Sequence, residues 1–565
     1  ATGVAICATG VELPAATEIT LPVASADVYE PLEGMRVTLP QSLSILEFFE
    51  YGRFGTVTLG SERHMTPTAV VEPGPDAVAL AEANALDTIT LDDGRSQENP
   101  DPAIHPNGDI FTLENSFRGG DLVTDATGVL DYRFDTWAVQ PTQEAGYEAV
   151  NTREANPVPE VGGTTTVASF NVLNYFTTLN SRGANDAIEF ERQEAKIVSA
   201  IAEIDADIVG LIEIENNGDT AVGTLVDALN ERMGEGTYAF ISTGPLGTDV
   251  ITTALIYKPA EVAPLGDEAV LTEEVDPRFN TDYNRPALAQ TFTDLQTGGE
   301  VTVVVNHLKS KGSACAGDPD TGDGSGNCNE TRTLAAQALA DWLAGDPTGQ
   351  GAGNELIIGD LNSYDKEDPI DVLRAAGYTD LLLQYQGEEA YSYVFDGQLG
   401  YLDYALANSG LLDNVTGAEA WHINSDEPSL LDYDMTFKKP AQDALYDEDE
   451  WRSSDHDPVI VGLDLDETAP ELVVTPSEDL IFPPNNKWRS VTFDIQATDN
   501  SGGEVTVEII DVQATGDKAK IRRVGGSNTE VEVLARPKAV YTVTFQATDP
   551  SGNSTTAAVT IRVGP

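Results

Sequence analysis

Residues 355–362 read Glu355-Leu356-Ile357-Ile358-Gly359-Asp360-Leu361-Asn362. Three apolar residues followed by Gly and two polar side chains describe a buried strand ending at a sheet edge, with Asp360 and Asn362 on one face at period two. The same grammar recurs on both sides. TTTVASFNV (164–172), DADIVGLIEIE (205–215), TTALIYKP (252–259) and VTVVVNHLK (301–309) are buried strands. Between them, EFERQEAKIVSAIAEI (189–204) and TLAAQALADWLAG (333–345) carry apolar residues at helical spacing, as at Ile197, Val198, Ile201 and Ile204. LDYALA (402–407) and VIVGLDL (459–465) complete the set. Strand–helix–strand alternation of this length predicts one large α/β domain over 156–463.

The flanks follow different rules. Over 27–155, MRVTLP, GTVTLG, DTITLDDG and GVLDYRFDTWAV are short β-branched strands with Gly turns, which predicts a small all-β, OB-like domain. Tyr132 and Trp137 in the last of these read as core, or as a stacking platform for single strands. Residues 1–26 read as the tail of an upstream module, and NTREANPVPEVGG (151–163) as a linker. Residues 464–565 alternate apolar and polar and contain two related units, ATDNSGG (497–503) and ATDPSGN (547–553). They predict an immunoglobulin-like β-sandwich.

The 565 residues suit three or four domains. The charge is −63, from 31 Lys and Arg against 94 Asp and Glu. Residues 464–565 hold 9 basic and 15 acidic side chains, so the preceding 463 residues carry −57 of the total and only seven lysines. Such a field disfavours an electrostatic nucleic-acid scaffold and acidic membranes. It also fits a surface kept hydrated in seawater or brine. No apolar run reaches 18 residues, so no membrane span is expected. Cys315 and Cys328 flank an Asp/Gly-rich loop and are expected to form a disulfide, implying an oxidising, extracellular location. Cys7 is left over, and a chain opening ATGVAICATG is expected to be processed or trimmed.

Four polar strand ends could carry chemistry: Ser169-Phe170-Asn171, Asp207 to Glu213, Gly359 to Asn362, and Ser454-Asp455-His456-Asp457-Pro458. Their carboxylate and amide oxygens suit Mg²⁺, Mn²⁺ or Ca²⁺ rather than Zn²⁺. His307, Lys309 and Lys311 recur at period two, so one strand face would present three cationic or donor groups. Asp318, Asp320 and Asp323 alternate with Gly in the cysteine-flanked loop, a pattern that wraps Ca²⁺. His64, His105 and His422 are expected to be structural or solvent-exposed. GxSxG, HExxH, CxxC and GxxxxGK[ST] do not occur, and no organic cofactor is expected.

The ordered set Asn171, DIVGLIE, the His307 strand, GDLN, LDY and SDHDP resembles the endonuclease/exonuclease/phosphatase superfamily with its DNase I-like fold. ASFNVLNYF, EIEN, NHLKSKGS, DPDTGDGSGNCN and RSSDHDPVIVGL are similar to secreted bacterial nucleases of the ExeM/NucH type. The resemblance implies a four-layer α/β sandwich that hydrolyses phosphodiesters with a divalent metal. It makes Glu213 the principal metal ligand, supported by Asn171 and Asp455. His456 becomes the general base or oxyanion stabiliser and Asp403 its orienting carboxylate. Asp360 and Asn362 would position water and phosphate, and His307 would bind a phosphate oxygen. Arg285 would contact backbone phosphate, with Lys309 beside it. Leu173 stands where some members have an acid. The substrate implied is DNA, with RNA as a second candidate, cut by a monomer into 5′-phosphate ends. Nucleotides and lipid or inositol phosphates are the alternative substrates, and an inactive adhesive matrix protein the non-enzymatic alternative.

Overall fold

The structure, a computed structural model, describes residues 11–351 and 353–565; Cys7 lies outside them. The chain divides into two compact units, Ala1–Phe292 with Val301–Leu463, and Thr293–Glu300 with Asp464–Pro565.

In the first unit the α/β region forms two six-stranded sheets. Its strands are β1 (Thr165–Tyr175), β2 (Ile208–Glu215), β3 (Ala239–Phe240), β4 (Ile251–Tyr257), β5 (Val262–Leu271) and β6 (Arg285–Asp294). They continue as β7 (Glu300–His307), β8 (Glu355–Asp360), β9 (Thr379–Asp380), β10 (Asp403–Ala407), β11 (Val415–Ala420) and β12 (Val459–Leu463). The first sheet runs β3-β4-β2-β1-β12-β11 and the second β5-β6-β7-β8-β10-β9. Both are antiparallel at β2–β4 and β8–β10 but hold one parallel pair near the centre, β1–β2 and β7–β8. Polar residues at the C-terminal ends of those pairs are what the sequence marks as chemistry.

The sheets face each other directly. A Cβ on Gly210 of β2 would lie 2.5 Å from Ile358 and 2.7 Å from Val305, so only glycine fits there. The alternate β2 residues Val209 and Leu211 point the other way, into a core shared with Ile197 and Ile201 of α1 (Ala187–Ile204) and Leu225 of α2 (Thr220–Met233). Asp186 caps α1 by accepting from the amides of Ile188 and Glu189. The helix α3 (Asn329–Leu343) packs against α4 (Asp368–Ala375).

The N-terminal region closes on itself. Strand Arg36–Glu47 pairs with Val57–Gly60, which pairs with Thr88–Leu91, then Thr136–Pro141, then Leu122–Arg133, and the last returns to Arg36–Glu47. Such a ring has no free edges. Its core of Val37, Leu39, Ile45 and Leu130 also takes in Leu430, Leu431 and Leu445 from the α/β region. Buried Glu427 receives Arg118 and Arg153, each at 2.8 Å. The expected linker 151–163 is held along its length instead: Asn151 donates to Asp426 at 2.7 Å, and Val161 accepts from Thr416 at 2.7 Å. A Pro/Gly composition gave no sign of those side-chain anchors. Trp137 packs partly into the barrel core, whereas Tyr132 and Phe134 at the hairpin tip are exposed.

The second unit holds two four-stranded antiparallel-rich sheets around Val491, Phe493, Tyr541, Val543 and Phe545. Burial alternates strictly along Val540–Thr548, as its sequence predicts. Among the described residues no helix is long and apolar enough to cross a membrane.

Candidate active site

The register of the second sheet assembles half of the site. His307 at the end of β7 pairs with Asp360 at the end of β8, and Asp360 pairs across with Asp403 at the start of β10. Three residues far apart in sequence therefore stand abreast on one sheet edge. In the first sheet, Asn171 of β1 lies opposite Ile212, beside Glu213. Glu213 sits in a β-bulge at φ +68°, a left-handed conformation costly for a non-glycine residue. The loop before β12, antiparallel to β1, delivers Asp455 and His456.

His456 is the centre of this constellation. Its Nδ1 lies 2.8 Å from Asp403 Oδ2, which also accepts from the Ser392 hydroxyl at 2.7 Å. Tyr393 stacks on the imidazole with centroids 4.5 Å apart. Burial opposes charge on this ring, but Asp403, with Asp455 and Asp360, outweighs it and holds the pKa well above the usual histidine value. The imidazolium is the favoured form at neutral pH. Asp457 pins the loop: its Oδ1 accepts from the amides of Asn424 and Ser425 at 2.8 and 3.0 Å, and its Oδ2 meets His422 at 2.9 Å.

Asp360 is fully enclosed, and burial pushes its pKa up to about 7, helped by Asp403 and Glu213 and opposed by His456. Its Oδ1 accepts from the Asn362 amide at 2.8 Å, while the Asn362 side chain donates to Leu308 O at 3.0 Å. His307 lies 3.6 Å from Asp360 through Nε2 and leaves its Nδ1 without a partner. Burial drives His307 well below the usual histidine value, and the charges of Arg285, His456, Lys309 and Arg182 push the same way. It is a neutral ring.

Glu213 and Asp455 repel each other: burial first, then Asp455, raises the Glu213 pKa against His456, Arg285 and a hydrogen bond from Asn171. Glu213 also accepts from the Asn174 amide at 3.0 Å. Two mutually repelling carboxylates and an amide, all hard oxygen donors, are a donor set that fits Mg²⁺ or Mn²⁺. Arg285 is nearly buried, with Asp249 at 3.3 Å, and its Nε makes no hydrogen bond. Lys309 donates to the hydroxyls of Ser310 and Ser313 at 3.1 and 2.9 Å. Five of the seven lysines before residue 464 pair with carboxylates, and Lys309 has no such partner among the described residues.

Ser392, Tyr393 and Arg182 escape sequence reasoning. The first two lie on a hairpin 11 and 10 residues before Asp403, without a motif, and Arg182 lies in a polar loop. Only their proximity to Asp403, His456 and His307, in turn, marks them.

Two expectations are corrected. The strand ends at His307, so Lys309 and Lys311 do not continue its face. Lys311 turns instead to buried Glu367 and the ring of Tyr364. The acids of the 318–323 loop do not converge. Asp318 Oδ2 accepts from the Thr331 amide and hydroxyl, both at 2.8 Å, tying it to α3. Asp320 Oδ1 accepts from Gly322 N at 2.7 Å and Asp323 Oδ1 from Ser325 N at 2.9 Å, so these oxygens serve turns. Cys315 and Cys328 are disulfide-bonded, with Cα atoms 5.4 Å apart. His64 and His105 are buried structural residues beside Asp87 and Asn107, and His422 stacks on Tyr391.

The endonuclease/exonuclease/phosphatase family model matches residues 168–456, from the first strand to His456. The chain belongs to that family. Members of the endonuclease/exonuclease/phosphatase family are hydrolases acting on phosphodiester bonds, and they depend on divalent metals. Residues 15–152 match a domain of unknown function. Among solved structures, the human Nocturnin catalytic domain with bound sulfate is 17% identical, covering 54% of this chain and 95% of its own, with a TM-score of 0.35. A family protein from Bacteroides thetaiotaomicron is 16% identical over 53% and 93%, with a TM-score of 0.36. TDP2 from D. rerio, complexed with single-strand DNA product, is 14% identical over 53% and 97%, with a TM-score of 0.33. No curated protein matches the chain.

Proposed function

We propose that the chain is a secreted, divalent-metal-dependent nuclease of the ExeM/NucH type that hydrolyses DNA, and RNA as a second substrate, with little sequence specificity. The observation that carries this reading is the His456–Asp403 pair, 2.8 Å apart and facing Asp360 and Glu213 in one enclosure. Phosphodiester hydrolysis needs a proton acceptor for water and positive charge around a phosphorane that gains negative charge. Asp360, poised near neutrality, takes the proton from the attacking water, and Asn362 fixes its orientation. The His456 imidazolium, held by Asp403, stabilises the developing oxyanion while neutral His307 donates to a second phosphate oxygen; the P–O3′ bond breaks and the leaving 3′-oxygen takes a proton from solvent. Arg285 and Lys309 hold the flanking phosphate, with Arg182 beside them. A divalent cation held by Glu213 and Asp455, with Asn171, would supply Lewis-acid charge.

The cysteine bridge supports an oxidising compartment. The closed N-terminal ring reads as OB-like, and the C-terminal unit as an immunoglobulin-like spacer. A small phosphodiester, nucleotide or inositol phosphate is the second reading, favoured by how few unpaired cations border the site. Plasmid, single-stranded DNA, RNA and bis(p-nitrophenyl) phosphate, each with Mg²⁺, Mn²⁺ or EDTA, separate the two. Polymer cleavage lost in EDTA and in His456→Ala supports the nuclease, and turnover of the small ester alone overturns it. Light scattering during chromatography checks the expected monomer.

A further inference from the structure

The paired units ATDNSGG and ATDPSGN take no part in the chemistry above. Each begins as the end of a strand, Trp488–Thr498 in one sheet of the second unit and Val540–Thr548 in the other. Their loops pack tightly: a Cβ on Gly503 would lie 2.4 Å from Pro550. This brings Asp499 and Asp549 together with Asp466, from the segment preceding the first strand, and one carboxylate oxygen of each lies within 4.8 Å of the others. Asp466 and Asp549 are only 4% and 5% exposed.

Each carboxylate has one oxygen engaged and one left over. Asp466 Oδ1 accepts from Thr468 N at 3.0 Å and Asn500 Nδ2 at 3.2 Å. Asp499 Oδ2 accepts from Ser501 N at 2.8 Å and from its hydroxyl, and Asp549 Oδ1 accepts from Asn553 N at 2.8 Å. Asp466 Oδ2, Asp499 Oδ1 and Asp549 Oδ2 are buried with no hydrogen-bond partner. No lysine or arginine pairs with any of the three among the described residues. Buried carboxylate oxygens facing one another without positive charge are unfavourable, and a cation resolves the conflict at once. A single shared proton would bridge two of the acids and leave the third.

We propose that Asp466, Asp499 and Asp549 bind a calcium ion, which ties the two sheets of the second unit to the segment that enters it. Separations within 4.8 Å suit oxygens around an ion with Ca–O bonds of about 2.3–2.6 Å. A dry, carboxylate-rich cage suits Ca²⁺ better than Mg²⁺, which keeps several of its waters. The repeated Asp-x-Ser-Gly thus has a reason: two strand ends supply matching ligands, one from each sheet.

The full-length chain, stripped with EDTA, is titrated with CaCl₂ by calorimetry, alongside Asp499→Asn/Asp549→Asn. The expected result is one calcium fewer per chain in the variant, or affinity for it weakened by about tenfold or more, with phosphodiesterase activity in Mg²⁺ unchanged. In the parent, calcium at a hundredfold excess over Kd raises the melting of the C-terminal unit by about 10 °C, and the variant loses this rise. Hydrogen exchange on the parent needs no variant: Ca²⁺ should slow exchange in 497–503 and 547–553. Equal calcium stoichiometry and affinity in parent and variant, or unchanged exchange in those segments, overturns the site. Equal protection by Mg²⁺ alone overturns the choice of calcium.

Discussion

Burial, with nearby cations pushing the same way, strips the proton from His307. His456, equally enclosed, goes the other way because Asp403 holds it at 2.8 Å and Asp455 and Asp360 add their fields. The two rings thus differ in charge within one site, an asymmetry that no single motif displays. His456→Gln is expected to lower kcat by about 10²–10⁴, measured on a polymer and a small diester. Asp360, pushed up to about 7, predicts a kcat/KM that climbs with unit slope below that pH and flattens above it; Asp360→Asn removes the climb along with most activity. The same group affects stability. Its folded pKa is raised, so it favours the native state most at low pH and costs stability as pH rises from about 3.9 toward 7. Metal-free Asp360→Asn is therefore expected to be more stable than the parent at pH 8, by up to about 4 kcal/mol in urea unfolding, with no gain near pH 3. Equal stability at both pH values would contradict the buried-carboxylate account.

Strand ends decide where these residues stand. GDLN reads correctly as the edge of a buried strand, and the reason for its glycine is tertiary. Gly359 has φ +121°, and a Cβ there would lie 2.0 Å from Asn306 O on neighbouring β7. Gly359→Ala is expected to destabilise by about 3 kcal/mol or more, read as a lower urea midpoint at unchanged slope. The His-Leu-Lys-Ser-Lys run is less legible. Period two holds only while the strand lasts, and β7 stops at His307, so Lys309 stays near Arg285 while Lys311 finds Glu367. The bulge at Glu213 is likewise invisible in DIVGLIEIE, since a strand pattern does not announce where one residue is extra. The disulfide closes a short loop that bears on α3 through Asp318. Cys315→Ser/Cys328→Ser should cost about 3 kcal/mol, checked by thermal unfolding with and without reductant.

At the scale of the molecule, a net charge of −63 accompanies a site for which phosphodiester chemistry is proposed. The structure reconciles the two: lysines are rare, most are neutralised by carboxylates, and Lys309, without a carboxylate partner among the described residues, lies with Arg285 and Arg182 near His307. On the proposal that Arg285, Lys309 and Arg182 are the phosphate contacts to DNA, log kcat/KM against log salt should slope at about −3 or less steeply for the duplex. A slope near −10 would mean an extended basic surface that this account lacks. The N-terminal β region is more than an appendage in sequence order, because its core continues into Leu430, Leu431 and Leu445 and its arginines close on Glu427.

By itself the sequence determined the α/β alternation, the family pattern, the cysteine pair and most of the residues that the structure gathers around His456, because strand ends and their polar residues are local features. Tertiary structure alone decided the opposite charge preferences of His307 and His456, the placement of Ser392 and Tyr393 against the His456–Asp403 pair, and the fate of Lys311. It also decided which acids meet: the Asp/Gly loop that looked like a calcium site spends its oxygens on turns, while Asp466, Asp499 and Asp549, up to 83 residues apart, converge. Electrostatics and ligand geometry depend on distances through space, and a sequence records only distances along the chain.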